Sequence, residues 1–228
     1  MIQTSVLGWN TNDMASTTKG RILDVAERLF GDRGFLGTSL RDITAEAKAN
    51  IASVNYHFGS KEALLAAVLE RRLEPINELR MRHLDELESK SKDKNLRVHD
   101  IVRAFLMPPF EKRQEWGSQG TTFFRVLGRV HGETSDEFRQ TFMQQFDAVL
   151  QRFFMAFQRA LPNVPAEELA WRMLFMTGSM AFTMSWGDSL KQRDPNLNRA
   201  PEEQIELLTA YVAAGMATAP NKQENPKT

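Results

Sequence analysis

Apolar residues return every three or four positions through Ile22, Val25, Ala26, Leu29 and Phe30, the spacing of one buried helical face. Thr17 or Thr18 can cap that helix and Gly34 can end it. Leu40, Ile43 and Ala47 mark a second short helix, opened by Thr38 or Ser39. Asn50 can cap a third, which carries Val54 and Phe58 inward at i, i+4. A fourth opens at Ser60 and runs towards Glu88, with Pro75 expected to kink or break it because proline removes a backbone donor. The polar run from Ser89 to Asn95 reads as a connection. Further helices are predicted over about 96–107, 118–131, 135–160, 165–190 and 201–217, bounded by Pro108-Pro109, Gly132, Pro162, Pro165 and Pro201. No strand, heptad array or internal repeat is evident, so the chain is expected to be all-α.

This pattern divides the chain into four parts. Residues 1–16 read as a flexible N-terminal arm, with Met14 as an alternative start. Residues 17–62 form a small three-helix unit, 63–219 a larger helical domain, and 220–228 a disordered tail.

Composition narrows the chemistry. The 228 residues are 42% hydrophobic and 25% charged, enough for a core without staples. With no cysteine, disulfides, thiolate catalysis and cysteine-held metals are excluded. The N-terminus lacks the pattern of a secretory signal, and the longest uncharged stretch, Met173 to Gly187, falls short of the roughly 20 apolar residues of a membrane span. A cytoplasmic protein without a membrane partner is therefore expected. Net charge is formally zero, and residues 17–72 hold nine Lys or Arg against seven Asp or Glu. Charge placement, not charge sum, has to identify any nucleic-acid partner.

That placement is found between Thr38 and Lys61, in Thr38-Ser-Leu-Arg-Asp-Ile-Thr-Ala-Glu-Ala47 followed by Lys48-Ala-Asn-Ile-Ala-Ser-Val-Asn-Tyr-His-Phe-Gly-Ser-Lys61. With Val54 and Phe58 anchoring the third helix, Ser53, Asn55, Tyr56 and His57 project outward or sideways, as a helix in the major groove requires. Asn can pair with adenine, and Tyr can reach a phosphate or a thymine methyl. Lys61, Thr38 and Ser39 stand at helix starts suited to phosphate, Asn50 caps the third helix, and Arg41 can reach backbone or base. The stretch resembles the TetR family of regulators over about residues 18–65. That resemblance implies a helix-turn-helix joined to a helical effector-binding and dimerisation domain. It also implies DNA contact by Thr38, Ser39, Ser53, Tyr56, His57 and Lys61. Lys48 occupies the turn position usually held by Gly and is expected to cost about 1 kcal/mol if left-handed. The usual aromatic pair is shifted to Asn55-Tyr56-His57.

In the second domain, Phe and Met dominate successive helices and leave adaptable volume for an elongated apolar ligand. Phe105, Phe124, Phe146 and Phe175 are candidate ligand contacts, although an ordinary core explains any one of them. Arg125 and Arg129, one turn apart, can hold a carboxylate or phosphate head group; their plainer role is on a solvated face or with Glu133 and Asp136. Trp171, Gly178 and Phe182, with Leu208, Val212 and Met216, are the candidate homodimer interface, or else core within a protomer. The stretch Pro162 to Met176 and the Val54–Lys61 segment are similar to regulators of fatty-acid oxidation, which implies a fatty acid or acyl-CoA effector.

The function expected is a repressor bound to a palindromic double-stranded operator and released by a small hydrophobic effector. Its rival is a sensor-less DNA-binding or interaction protein with a packed C-terminal domain. No enzyme is expected, because neither a Ser-His-Asp arrangement nor a glycine-rich phosphate loop occurs. No cofactor or metal is expected either: His57, His83, His99 and His131 are scattered, away from ligand spacing.

Overall fold

The computed structural model describes residues 17–91 and 96–220, apart from the side chains of residues 131–133, 137, 140 and 141. Both the N-terminal arm and, beyond Pro220, the tail lie outside the described residues, as does the side chain of His131. Ten α-helices form the described part: α1 Thr18–Arg33, α2 Leu40–Glu46, α3 Ile51–His57, α4 Lys61–Lys90, α5 Val98–Trp116, α6 Ser118–Glu133, α7 Asp136–Gln144, α8 Asp147–Ala160, α9 Ala166–Arg193 and α10 Pro201–Ala217. A 3-10 turn, Pro195–Leu197, joins the last two, and no strand occurs among the described residues. No helix among them is long and apolar enough to cross a membrane.

The first three helices start where short polar side chains can satisfy exposed amides. Thr17 Oγ1 accepts from Gly20 N at 3.0 Å. Ser39 and Asp42 form a reciprocal capping box on α2, and Asn50 Oδ1 accepts from Ser53 N at 2.7 Å on α3. Ile22, Ala26, Leu29, Phe30, Ile43, Val54 and Leu64 are buried together and close the three-helix unit onto the start of α4.

Between α2 and α3 the chain must turn sharply. Ala49 N donates to Thr44 O at 2.9 Å, closing a six-residue turn around Lys48. Lys48 has φ 50° and is the one non-glycine residue of positive φ among those described, so the left-handed geometry expected at this position is present.

Pro75 lies inside α4, which runs through it without a break. Two helix boundaries differ from the sequence expectations. Pro108 and Pro109 lie inside α5, which continues to Trp116 instead of ending near residue 107. Proline at 109 removes the helical donor for the carbonyl of Phe105, and the Arg80 side chain replaces it, Nε donating to Phe105 O at 3.0 Å. A neighbouring helix thereby repairs the defect. Conversely, the single helix expected over 135–160 is two, α7 and α8. Between them Gln145 N donates to Phe142 O and Phe146 N to Met143 O, tight i→i−3 bonds that turn the chain.

The two domains meet through α1, α4 and α6. Glu27 of α1 is 3% exposed and accepts from Arg71 and Arg72 of α4, with Arg72 Nε 3.0 Å from its Oε2. Arg72 also donates to Gln119 of α6 at 3.0 Å and stacks on Trp116, 4.9 Å from the ring centroid. Gly31 permits a close approach of α1 to α6: a Cβ there would stand 2.6 Å from Thr122 Cγ2.

Replacing Lys48 by Gly is expected to remove the left-handed strain and stabilise the protein by about 1 kcal/mol, raising the melting temperature by about 2–4 °C. Calorimetric melting checks this, and Lys48→Val should move it the other way.

Candidate DNA-binding face and apolar cavity

The outward side of α3 is where the small domain offers its chemistry. Asn55 and Tyr56 are exposed, Tyr56 at 85%. Among the described residues, no apolar surface covers that phenol ring. His57 is half-buried and lies edge-on to Tyr56 with ring centroids 5.0 Å apart. Ser53 is half-buried, its hydroxyl donating to Asn50 Oδ1 at 2.9 Å. Asn50 and Ser53 therefore hold each other at the start of the helix.

Arg41 is exposed on α2. Ser39 is exposed too, and its hydroxyl engages Asp42 Oδ2 at 2.6 Å within the capping box. That hydrogen bond, with one from the Ser39 amide, holds the Asp42 carboxyl below its usual range. Lys61, at the first turn of α4, sits 4.2 Å above the centroid of Phe35, which fixes the ammonium beside the end of α3.

Thr38 departs from the expectation of a DNA contact. It is 1% exposed, and its hydroxyl lies 2.8 Å from Gly34 O and 3.2 Å from Leu29 O, donating to the last carbonyls of α1. Its side chain shapes the turn before α2 and faces away from solvent. The remaining eight residues proposed for DNA share the surface of α2, α3 and the start of α4.

In the larger domain, α4, α5, α6, α7, α8 and α9 enclose an apolar cavity of about 330 Å³. This lies at the lower end of the range of small-molecule pockets. Phe105, Phe124 and Phe146, three of the candidate ligand contacts, line it together with Phe142, Leu73 and Ile76. Gly178, Phe182 and Trp186 of α9 form its outer rim; Phe182 and Trp186 are 58% and 57% exposed.

Three of the ligand candidates lie elsewhere. Arg125 points to the small domain, 3.5 Å from Asp32 of α1, because it stands on the face of α6 that meets α1. Arg129 lies beside Phe30 and Phe35, at the same junction and away from the cavity. Phe175 is 63% exposed and faces outward with Tyr211, along a groove between α9 and α10.

Among the lining residues that the sequence does not single out, one is charged. Arg80, 2% exposed, stands in the cavity wall on the apolar stripe Leu69, Leu73, Ile76, Leu84 of α4. The signal was present in the sequence: a guanidinium where the helical period calls for an aliphatic side chain.

On the outside of the larger domain, Trp171, Phe175, Gly178, Phe182 and Trp186 follow one another at three- and four-residue spacing along α9, with Leu174 beside Phe175, all exposed. Leu207 and Tyr211 extend this apolar face onto α10, 54% and 71% exposed. Val212 and Met216, expected at a dimer surface, instead point into the protomer's own core, and Leu208 is half-buried against it. Helix α10 is apolar on nearly every side, so its sequence does not fix which face turns inward.

Comparison with known proteins agrees with this architecture. Residues 22–68 match the domain described as bacterial regulatory proteins, tetR family, and residues 103–215 match the tetracyclin repressor-like C-terminal domain. Among curated proteins, the chain is similar to the HTH-type transcriptional repressor Rv3405c of Mycobacterium tuberculosis, 49% identical over 49 residues, 22% of this chain and 26% of that one. It is also similar to the HTH-type transcriptional repressor NicS of Pseudomonas putida, 41% identical over 56 residues, 25% of this chain and 26% of that one. The matches thus span about a quarter of the length of these curated relatives. Among solved structures, the TetR family transcriptional regulator PfmR of Thermus thermophilus shares the fold. It superposes with a TM-score of 0.59 at 18% identity, over 91% of this chain and 100% of that one. With both its domains matched in order over residues 22–68 and 103–215, the chain belongs to the tetR family of bacterial regulatory proteins.

Proposed function

We propose that the protein is a ligand-responsive transcriptional regulator, a homodimer that binds a partly palindromic operator and is released from it by an apolar effector. The observation that carries this reading is the path of α4. It begins at Lys61, four residues after α3 ends at His57, and supplies Leu73, Ile76 and Arg80 to the cavity wall. Whatever fills the cavity touches the helix on which the recognition helix is mounted.

In this reading α3 enters the major groove. Asn55 and Tyr56 reach base edges, Ser53 and His57 support them, and Arg41, Ser39, Asn50 and Lys61 engage or face the sugar-phosphate backbone. Thr38 acts indirectly, by holding the start of α2. Two protomers pair through the apolar face of α9 and α10, which is larger than scattered surface residues explain. Trp171, Gly178 and Phe182 lie in the contact with Phe175 and Tyr211 beside them. Pairing sets the separation of the two α3 helices, which must match about 34–36 Å or a multiple of it.

An effector releases DNA only if it binds the DNA-incompetent arrangement more tightly. A ligand that repositions α4 does this, because Glu27, Arg71 and Arg72 couple α4 to α1. The effector classes implied by the sequence resemblance are fatty acids and acyl-CoA, which suit the phenylalanine lining. The competing reading, a DNA-binding module without a sensor, calls for a filled interior, and the cavity counts against it. As a DNA-binding regulator the protein would work in the cytoplasm.

Fluorescence anisotropy with the gene's own upstream DNA, at several salt concentrations, is expected to show a site preferred over random sequence. Tyr56→Ala should weaken that site at least tenfold, given about 1–3 kcal/mol per good base contact, and leave the dimer intact. Unchanged operator binding would remove α3 from the reading, and the absence of any preferred site would remove the regulator itself. Sedimentation tests the pairing: Phe175→Glu combined with Tyr211→Glu is expected to yield a folded monomer with weakened DNA binding. A dimer that survives both charges would put the interface elsewhere.

A further inference from the structure

Among the described residues, Arg80 is a charge without a counter-charge. Its three described hydrogen bonds go to neutral acceptors: Nε to Phe105 O at 3.0 Å, Nη1 to Asn77 Oδ1 at 2.9 Å and Nη2 to Met180 Sδ at 3.3 Å. Thioether sulfur is a weak acceptor. The guanidinium lies 4.2 Å from the centroid of Phe105, and no carboxylate among the described residues pairs with it. Burial pushes it down to about 9, so at neutral pH it still carries its proton. Each terminal nitrogen keeps a second N–H with no acceptor among the described residues.

The bond to Phe105 O accounts for part of this arrangement. Pro109 leaves that carbonyl without a helical donor, and Arg80 supplies one. Any neutral N–H donor of similar reach would do the same without bringing a dry positive charge into an apolar wall, which is costly unless an anion meets it. Bracing α5 explains Nε; it does not explain the charge.

We propose that the cavity takes a ligand with one carboxylate, held by the terminal nitrogens of Arg80, and an apolar body lying among Phe105, Phe124, Phe142 and Phe146. A planar carboxylate matches the guanidinium fork in shape and cancels its charge. Arg80 is the one cation among the described lining residues. The lining hydroxyls are engaged: Thr177 donates to Met173 O at 2.8 Å and Ser185 to Phe124 O at 3.4 Å. A phosphate dianion would leave a charge unmatched, so the polyphosphate head of an acyl-CoA has no place inside, whereas a free acid has. The inference rests on the effector reading of this cavity and sharpens it. Anion binding at Arg80 also acts on α4 itself, one helix below the recognition helix.

Calorimetric titration of the full chain with octanoate, decanoate and dodecanoate, each against the alcohol of equal length, tests the inference. At least one acid is expected to bind 30-fold or more tightly than its alcohol. Arg80→Gln, which keeps an N–H for Phe105 O, should bind acid and alcohol alike, with melting curves confirming that the variant folds. Equal affinity of acid and alcohol in the unaltered protein would overturn the proposal, even if the variant failed to fold. So would the failure of all three acids to bind. The operator assay separates the two levels: acid held by Arg80 in a protein that prefers no DNA site would sink the regulator reading and leave this one standing.

Discussion

Glu27 of α1 is 3% exposed, and a carboxylate in that position must be met by cations or cost several kcal/mol. Arg71 and Arg72 of α4 meet it, and Arg72 continues to Gln119 and Trp116 at the α5–α6 corner. Close contact of α1 with α6 at Gly31 and the ion pair of Arg125 with Asp32 fasten the same seam. The small domain is thus not a bead on a linker. Its first helix is clamped to the long helix that lines the cavity, so the orientation of α3 depends on where α4 sits.

Along α4 the second buried charge lies at Arg80. Its chemistry contrasts with that of the Glu27 cluster: there, Arg71 and Arg72 meet the carboxylates of Glu27 and Asp24, whereas Arg80 has only neutral acceptors among the described residues. Pro109 makes the contrast possible, since it leaves the Phe105 carbonyl without its helical donor and Arg80 takes that place. Cavity, arginine and interrupted backbone form one feature.

Much of the small domain could be read from the sequence because its signals are local. Thr17, Ser39, Asn50 and Ser60 each cap the helix that follows, and the apolar period from Ile22 to Phe30 is the buried face. Lys48 was legible as a left-handed position. Thr38 was not legible as buried, since a cap position and a turn brace carry the same residue type. In the larger domain the failures were of tertiary origin. Pro108 and Pro109 read as a helix end because sequence does not reveal a side chain from another helix that replaces the lost donor. Gln145-Phe146 read as helix because the turn there needs neither Gly nor Pro. Arg125 read as a ligand residue, but its face of α6 was already taken by α1. Phe105, Phe124 and Phe146 were found by composition alone, and Arg80 was missed although it interrupts an otherwise apolar stripe.

In the proposed function, occupancy of the cavity moves α4 and, with it, the two recognition helices of a dimer. Because the chain has no cysteine, a single Ala52→Cys on exposed α3 allows one spin label per protomer. Pulsed electron resonance then reads the distance between the labels. On operator DNA the account predicts one narrow distance, consistent with recognition helices spaced about 34–36 Å apart. Saturation with the acid that binds best should shift that distance by several ångströms as the DNA is released. A distance that stays the same while the DNA leaves, or labels that never come within range of each other, would contradict it.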